Sequence, residues 1–220
     1  MNTQGFLDQL LKTAQQSVGD LTGGKGLGGD LGKGVLAGGA LGLLLGNRRA
    51  RKMGGKLAVY GGLAAVGALA YKAYGDWKQQ QSGTAAAAAP GTIDALPPPD
   101  AESHSQAILK ALIAASKADG HVDDRERQVI EGEFTRLDAA PEVRQWLQAE
   151  LQKPLDPAEV ARAATTPEMA SEMYLASLLA VDEQNFMERA YLDELARQLK
   201  LDEGLKARLE QQMKEAGDAV

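Results

Sequence analysis

Four acidic residues and a glycine crowd into KADGHVDDRERQVI, Lys117 to Ile130. A second passage repeats the frame. Leu112 to Asp119, then Glu126, then Val129-Ile130 can be laid on Leu175 to Asp182, then Glu188, then Tyr191-Leu192, with one loop residue fewer in the second copy. Each copy reads as helix, acidic turn, glutamate, helix. If the two halves pack with approximate two-fold symmetry, Asp119, Glu126, Asp182 and Glu188 meet and can share a hard cation. Calcium or magnesium suits such an all-oxygen set. A purely structural reading competes. Gly120 takes the left-handed conformation that ends a helix, Asp123 caps the next helix, and Glu126 completes a capping box three residues on. That reading leaves only Asp119 without a role. The glycine position and ligand spacing exclude an EF-hand loop.

Other chemistries find little support. The absence of cysteine removes disulfides, thiolate metal sites and a cysteine nucleophile. His104 at a linker edge and His121 in the acidic turn are both expected to be solvated. No HExxH or G-x-S-x-G motif occurs. Gly19 to Lys25 has the spacing of a phosphate loop, but Gly26 stands where a magnesium-binding Ser or Thr belongs. Gly24, Gly26 and Gly29 fit GxGxxG without a preceding strand. No catalytic residue and no resident cofactor is therefore expected.

The elements around these residues fall into two charge regimes. Residues 1–78 carry 10 Lys+Arg and 4 Asp+Glu; residues 79–220 carry 14 and 26. A net of -12 on the second part argues against nucleic acid, and the basic first part points to a membrane surface. Gln4 to Val18 places Phe6, Leu7, Leu10, Leu11, Ala14 and Val18 on one helical stripe, for packing on the protein or on a bilayer surface. Val35 to Leu45 is uncharged, and Gly34, Gly38, Gly42 and Gly46 recur every fourth residue, a row that suits helix association. Arg48, Arg49, Arg51, Lys52 and Lys56 follow, then the uncharged run Leu57 to Tyr71. Extended to Tyr74, that run reaches about 27 Å, close to the bilayer core. The expectation is an anchor in residues 1–78 with one or two membrane segments. Residues 79–102 read as an Ala/Pro/Gln-rich flexible linker.

Residues 103–220 show uninterrupted helical periodicity and no credible strand, an all-α bundle of about seven helices. Asp156-Pro157-Ala158-Glu159 and Thr166-Pro167 mark helix starts, and Pro141 suits a first turn. Inward positions include Met173, Tyr174, Leu178 and Val181, then Met187, Tyr191, Leu192, Leu195 and Leu199, then Leu205, Leu209 and Met213.

Asp119-Gly120-x-Val122-x-x-x-Glu126 before an apolar helix resembles the motif of TerB-like (tellurite-resistance B-like) domains. With the basic glycine-rich anchor, the linker and the Asp182 to Leu192 stretch, the chain resembles YebE-type inner-membrane proteins of Gram-negative bacteria. That resemblance implies a tethered all-helical domain, relatives associated with metal stress, and cation binding through acids. The expected function is a membrane-anchored envelope interaction or adaptor protein, linked to envelope or metal stress, with an envelope protein partner, the lipid bilayer and self-association through the glycine row as contacts. A divalent-cation sensor is the alternative, and an acid-metal hydrolase using the same four carboxylates a more distant one. The basic cluster is expected to stay cytoplasmic. One or two crossings then put the C-terminal domain in the periplasm, and a monotopic anchor leaves it in the cytoplasm.

Overall fold

The computed structural model describes residues 2–10, 63–82, 98–119, 128, 130–132, 134–135, 138–181 and 185–218. Among them every regular element is helical and none is a strand, so the protein is all-α. Seven helices are α1 (Leu63–Ser82), α2 (Pro98–Ala115), α3 (Pro141–Gln152), α4 (Pro157–Ala161), α5 (Pro167–Ala180), α6 (Phe186–Gln198) and α7 (Glu203–Asp218). Residues 3–10 and the described residues between 128 and 135 are helical as well.

Local chemistry sets the boundaries. Asp156 accepts from the Ala158 amide at 2.9 Å and Thr166 from the Met169 amide at 3.1 Å, each followed by a proline whose missing N–H costs nothing in a first turn. Asn185 caps α6 through the Met187 amide. Lys200, at φ 55°, ends α6 in the left-handed conformation and lets the Leu201 amide reach back to the Ala196 carbonyl. Glu159, in the first turn of α4, bridges Lys110 at 2.7 Å and Lys153 at 3.5 Å.

Helix α5 is the axis of the fold. Residues from Met169 to Ala180 are buried without interruption, as suits a helix enclosed on all sides rather than one with a single apolar stripe. It packs most extensively on α2, and also on α1, α7 and α6. Thus the helices carrying the two related passages, α2 and α5, lie against each other. Its buried serines are satisfied within the helix: Ser171 donates to the Pro167 carbonyl and Ser177 to that of Met173. The Tyr191 hydroxyl on α6 is buried without a hydrogen-bond partner. Burial pushes that phenol well up; the nearby Ser177 hydroxyl pulls the other way but is already committed to Met173. The inward positions expected along α5, α6 and α7 are buried, with one exception. Met187 lies outward, and with Phe186 it forms an exposed apolar pair at the start of α6.

Two segments from the basic half belong to this packing. In residues 3–10, Asn2 caps the helix by accepting from the Gly5 amide. The Thr3 and Gln4 amides donate to the Glu102 carboxylate of α2 at 2.9 to 3.2 Å. Phe6, Leu7 and Leu10 are buried, with the Phe6 ring edge-on to Phe134 at 5.7 Å. The bilayer expectation for Leu57 to Tyr74 meets a different arrangement from Leu63 onward. Helix α1 lies on α5 and α7, with Val66, Ala70 and Ala73 in the shared core. Trp77 Nε1 donates to Asp202 at 2.8 Å, and Asp76 lies 3.8 Å from Arg208. No helix among the described residues is long and apolar enough to cross a membrane. The physical reason is composition: α1 runs on through Lys72, Asp76 and Lys78, and its small residues let it approach protein closely. It continues to Ser82, and α2 starts at Pro98, so helix enters both ends of the stretch expected to be linker. Val35 to Leu45, the glycine row and the basic cluster lie outside the described residues.

Candidate functional site

A cleft of about 610 Å³ opens where α2, α3 and the start of α5 meet. Helix α2 contributes Asp100, His104, Ala107 and Lys110; α3 contributes Trp146 and Glu150. The connection into α5 and its first turn supply Thr165, Thr166, Glu168 and Met169. Most of the lining stands on helices or on the capped start of α5, which holds it by backbone.

His104 is the centre of this cleft and the main correction to the sequence reading. It is not a solvated linker residue: α2 begins six residues earlier, and His104 is only 5% exposed. Its Nδ1 lies 2.5 Å from Glu172 Oε2, and Glu172 is fully buried in α5. A buried carboxylate demands such a partner. The signal was present in the sequence: beyond its first turn, PEMASEMYLASLLA carries one acid, Glu172, amid apolar and small residues, at a position that faces another helix. Periodicity alone does not name the histidine, which is supplied 68 residues away.

The basic groups around the cleft are already engaged. Lys110 is held by Glu159, and Lys153 by Glu150 at 2.5 Å and by Glu159. Burial works to raise the Glu159 carboxyl, but the Lys110 and Lys153 contacts bring it below its ordinary range. Lys117, from the acidic stretch, caps the C-terminus of α3 by donating to the carbonyls of Glu150 at 3.0 Å and Lys153 at 2.9 Å. Burial lowers its ammonium, with Glu150 and Glu159 opposing. Asp100 and Glu168, by contrast, stand in the first turns of α2 and α5 and make no salt bridge among the described residues. Glu168 also faces α1: burial first, and the Glu168 charge second, push the Tyr74 phenol up.

The four carboxylates expected to share a cation are placed in part. Asp119 is exposed just beyond α2, and Glu188 is buried in the first turn of α6. Both have interaction partners. Glu126 and Asp182 lie outside the described residues, as does His121, so the meeting of all four lies outside them too. Among the described residues no group of three or more His, Asp or Glu is placed to hold a metal ion.

The fold and cleft together define an all-helical domain with a polar recess beside a buried histidine–carboxylate pair. The chain belongs to the family described as "Protein of unknown function (DUF533)", which it matches over residues 30–213. It is similar to an "Uncharacterized protein in ampR 5'region" of Yersinia enterocolitica, 31% identical over 115 residues that cover 52% of this chain and 83% of the relative. No solved structure matches it.

Proposed function

We propose that this protein is a non-enzymatic recognition and adaptor module held at the bacterial inner membrane, in which the helical domain presents its cleft and residues 11–62 contact the lipid surface. The observation that carries this reading is that both flanks of that segment, residues 3–10 and α1, are docked on one domain. Residues 11–62 hold eight Lys+Arg against two Asp, together with the uncharged Val35 to Leu45. A segment that leaves a domain and returns to it makes an even number of crossings or none, so the domain shares a compartment with the N-terminus. Helix α1 takes the chain into the domain from Leu63 and leaves only residues 57–62 of the second uncharged run for a crossing, so with the basic cluster on the cytoplasmic side this favours the monotopic arrangement and a cytoplasmic domain. The family match supports treating the glycine-rich stretch and the helices as one unit, since it runs through both. The TerB-like and YebE-type resemblance, an envelope partner, a role in envelope or metal stress, and association through the glycine row remain parts of this proposal.

Vesicle sedimentation of the full chain tests it. Binding to vesicles rich in anionic phosphatidylglycerol should exceed binding to phosphatidylcholine. Replacing Arg48, Arg49, Arg51, Lys52 and Lys56 by Gln should remove most of the difference, at about 1 kcal/mol per basic residue near the surface. Equal binding to both vesicle types, or no binding, contradicts the proposal.

A further inference from the structure

We propose that the cleft is a binding site for an organic cation, a primary ammonium or guanidinium group on an apolar stem, with His104 Nε2 as its hydrogen-bond acceptor. This rests on reading the cleft as a recognition surface. The first observation is the histidine itself. His104 lines the cleft yet is 5% exposed, and its Nδ1 is committed to Glu172. Nε2 has no hydrogen-bond partner among the described residues. An ionised carboxylate only accepts, so Nδ1 carries a proton here, and in the neutral ring that leaves the lone pair on Nε2. A lone pair in a half-enclosed site calls for an N–H or O–H donor.

The second observation is the charge balance. Of the three lysines near the cleft, Lys110 and Lys153 are held by carboxylates and Lys117 by the carbonyls at the end of α3, whereas Asp100 and Glu168 have no basic partner among the described residues. The unbalanced charge is therefore negative, and a cation gains from it where a phosphate or carboxylate would be repelled. The third is shape. The volume of about 610 Å³ suits a small organic group. Ala107, Met169 and the Trp146 ring supply apolar surface for a stem and an aromatic face for the charge. An ammonium or guanidinium donates to Nε2, leaves its charge near Asp100 and Glu168, and lays its alkyl part along that wall.

Histidine-labelled NMR of the full chain reads this directly, because only His104 and His121 contribute ring signals; His104→Gln assigns them. The probes are spermidine, a blocked peptide with a single arginine, and inorganic phosphate, at constant ionic strength. A saturable shift of the His104 signal with spermidine or the arginine peptide supports the site. The tighter of the two says whether the source is a free polyamine or a basic protein segment. Asp100→Asn with Glu168→Gln, both at the cleft mouth rather than in the core, should weaken binding about tenfold. The proposal is overturned if neither cation gives a saturable shift below about 10 mM, if the double variant binds unchanged, or if phosphate alone shifts His104. Vesicle binding measured on the same samples separates the two readings. Loss of the cation response with vesicle binding intact removes only this site; the reverse removes only the membrane role.

Discussion

Helices α1 and α5 are both rich in alanine and in larger apolar residues, and they differ in how the protein uses them. Helix α5 is buried all round from Met169 to Ala180, and the one glutamate in that stretch, Glu172, is matched by a histidine from α2. Helix α1 has two faces: Val66, Ala70 and Ala73 are buried on α5 and α7, while Ala68, Lys72 and Lys78 face outward. Tyr74 and Trp77 pack together at the boundary, with ring centroids 5.6 Å apart, and Trp77 is tied to Asp202. The contrast teaches that an apolar face announces burial without naming the partner. A bilayer and a protein groove satisfy the same stripe, and the polar anchor at its edge decides between them. Tyr and Trp beside a lysine fit an interfacial belt by type; here Trp77 is held at the start of α7 by the flanking Asp202.

The comparison can be broken by treating the segments from the basic half as core. The largest expected effect is at Phe6. If residues 3–10 are part of the domain, Phe6→Ala should cost about 3 kcal/mol in chemical denaturation of the full chain, like any buried aromatic. A change below about 0.5 kcal/mol, typical of a surface site, would detach the segment from the core. Ala73, with no exposed surface, should tolerate a larger side chain poorly. Ala73→Leu should cost about 1–3 kcal/mol through overpacking, whereas Lys72→Leu on the outer face should be near neutral. Equal behaviour of the two would mean that α1 does not pack as described.

A smaller effect concerns Glu102. Burial works to raise its carboxyl, but hydrogen bonds from Thr3, Gln4 and Gln106 outweigh this and hold it below the ordinary range. A carboxyl depressed in the folded state stabilises above its unfolded pKa, and that contribution fades as pH falls through the folded value. Hydrogen-exchange protection of the Thr3 to Leu10 amides should therefore drop at acid pH while that of α5 persists. Glu102→Gln should lose about 1 kcal/mol of docking at neutral pH and flatten the acid response. An unchanged acid response in that variant would point to another titrating group.

Much of the fold was legible because its signals are local. The Asp156 and Thr166 caps, the prolines at helix starts and the stripes of α6 and α7 depend on neighbours within one or two turns. What escaped depends on distant partners. The stripe of Phe6, Leu7 and Leu10 was readable, but Glu102 and Phe134, which receive it, are about a hundred residues away. The same holds for His104, placed at a linker edge by sequence, which lies inside α2 with its partner Glu172 supplied by α5. Met187 shows the opposite error: its spacing fits the inner stripe, yet as the second residue of α6 it precedes the helix's first full turn and points outward. At the acidic turns the sequence offers a choice between capping and cation binding. Glu188 stands in the first turn of α6, which Asn185 caps.

The central claim is that α1 is a structural part of the helical domain. Thermal unfolding of two truncated chains, residues 63–220 and residues 98–220, tests it most directly. Removing α1 uncovers the faces of α5 and α7 that hold Val66, Ala70 and Ala73 and leaves Asp202 without Trp77. The chain of 63–220 should melt cooperatively, and that of 98–220 should melt at least about 10 °C lower or aggregate, as loss of several buried side chains requires. Equal melting temperatures for the two would show that α1 adds nothing to the domain and would return it to the membrane.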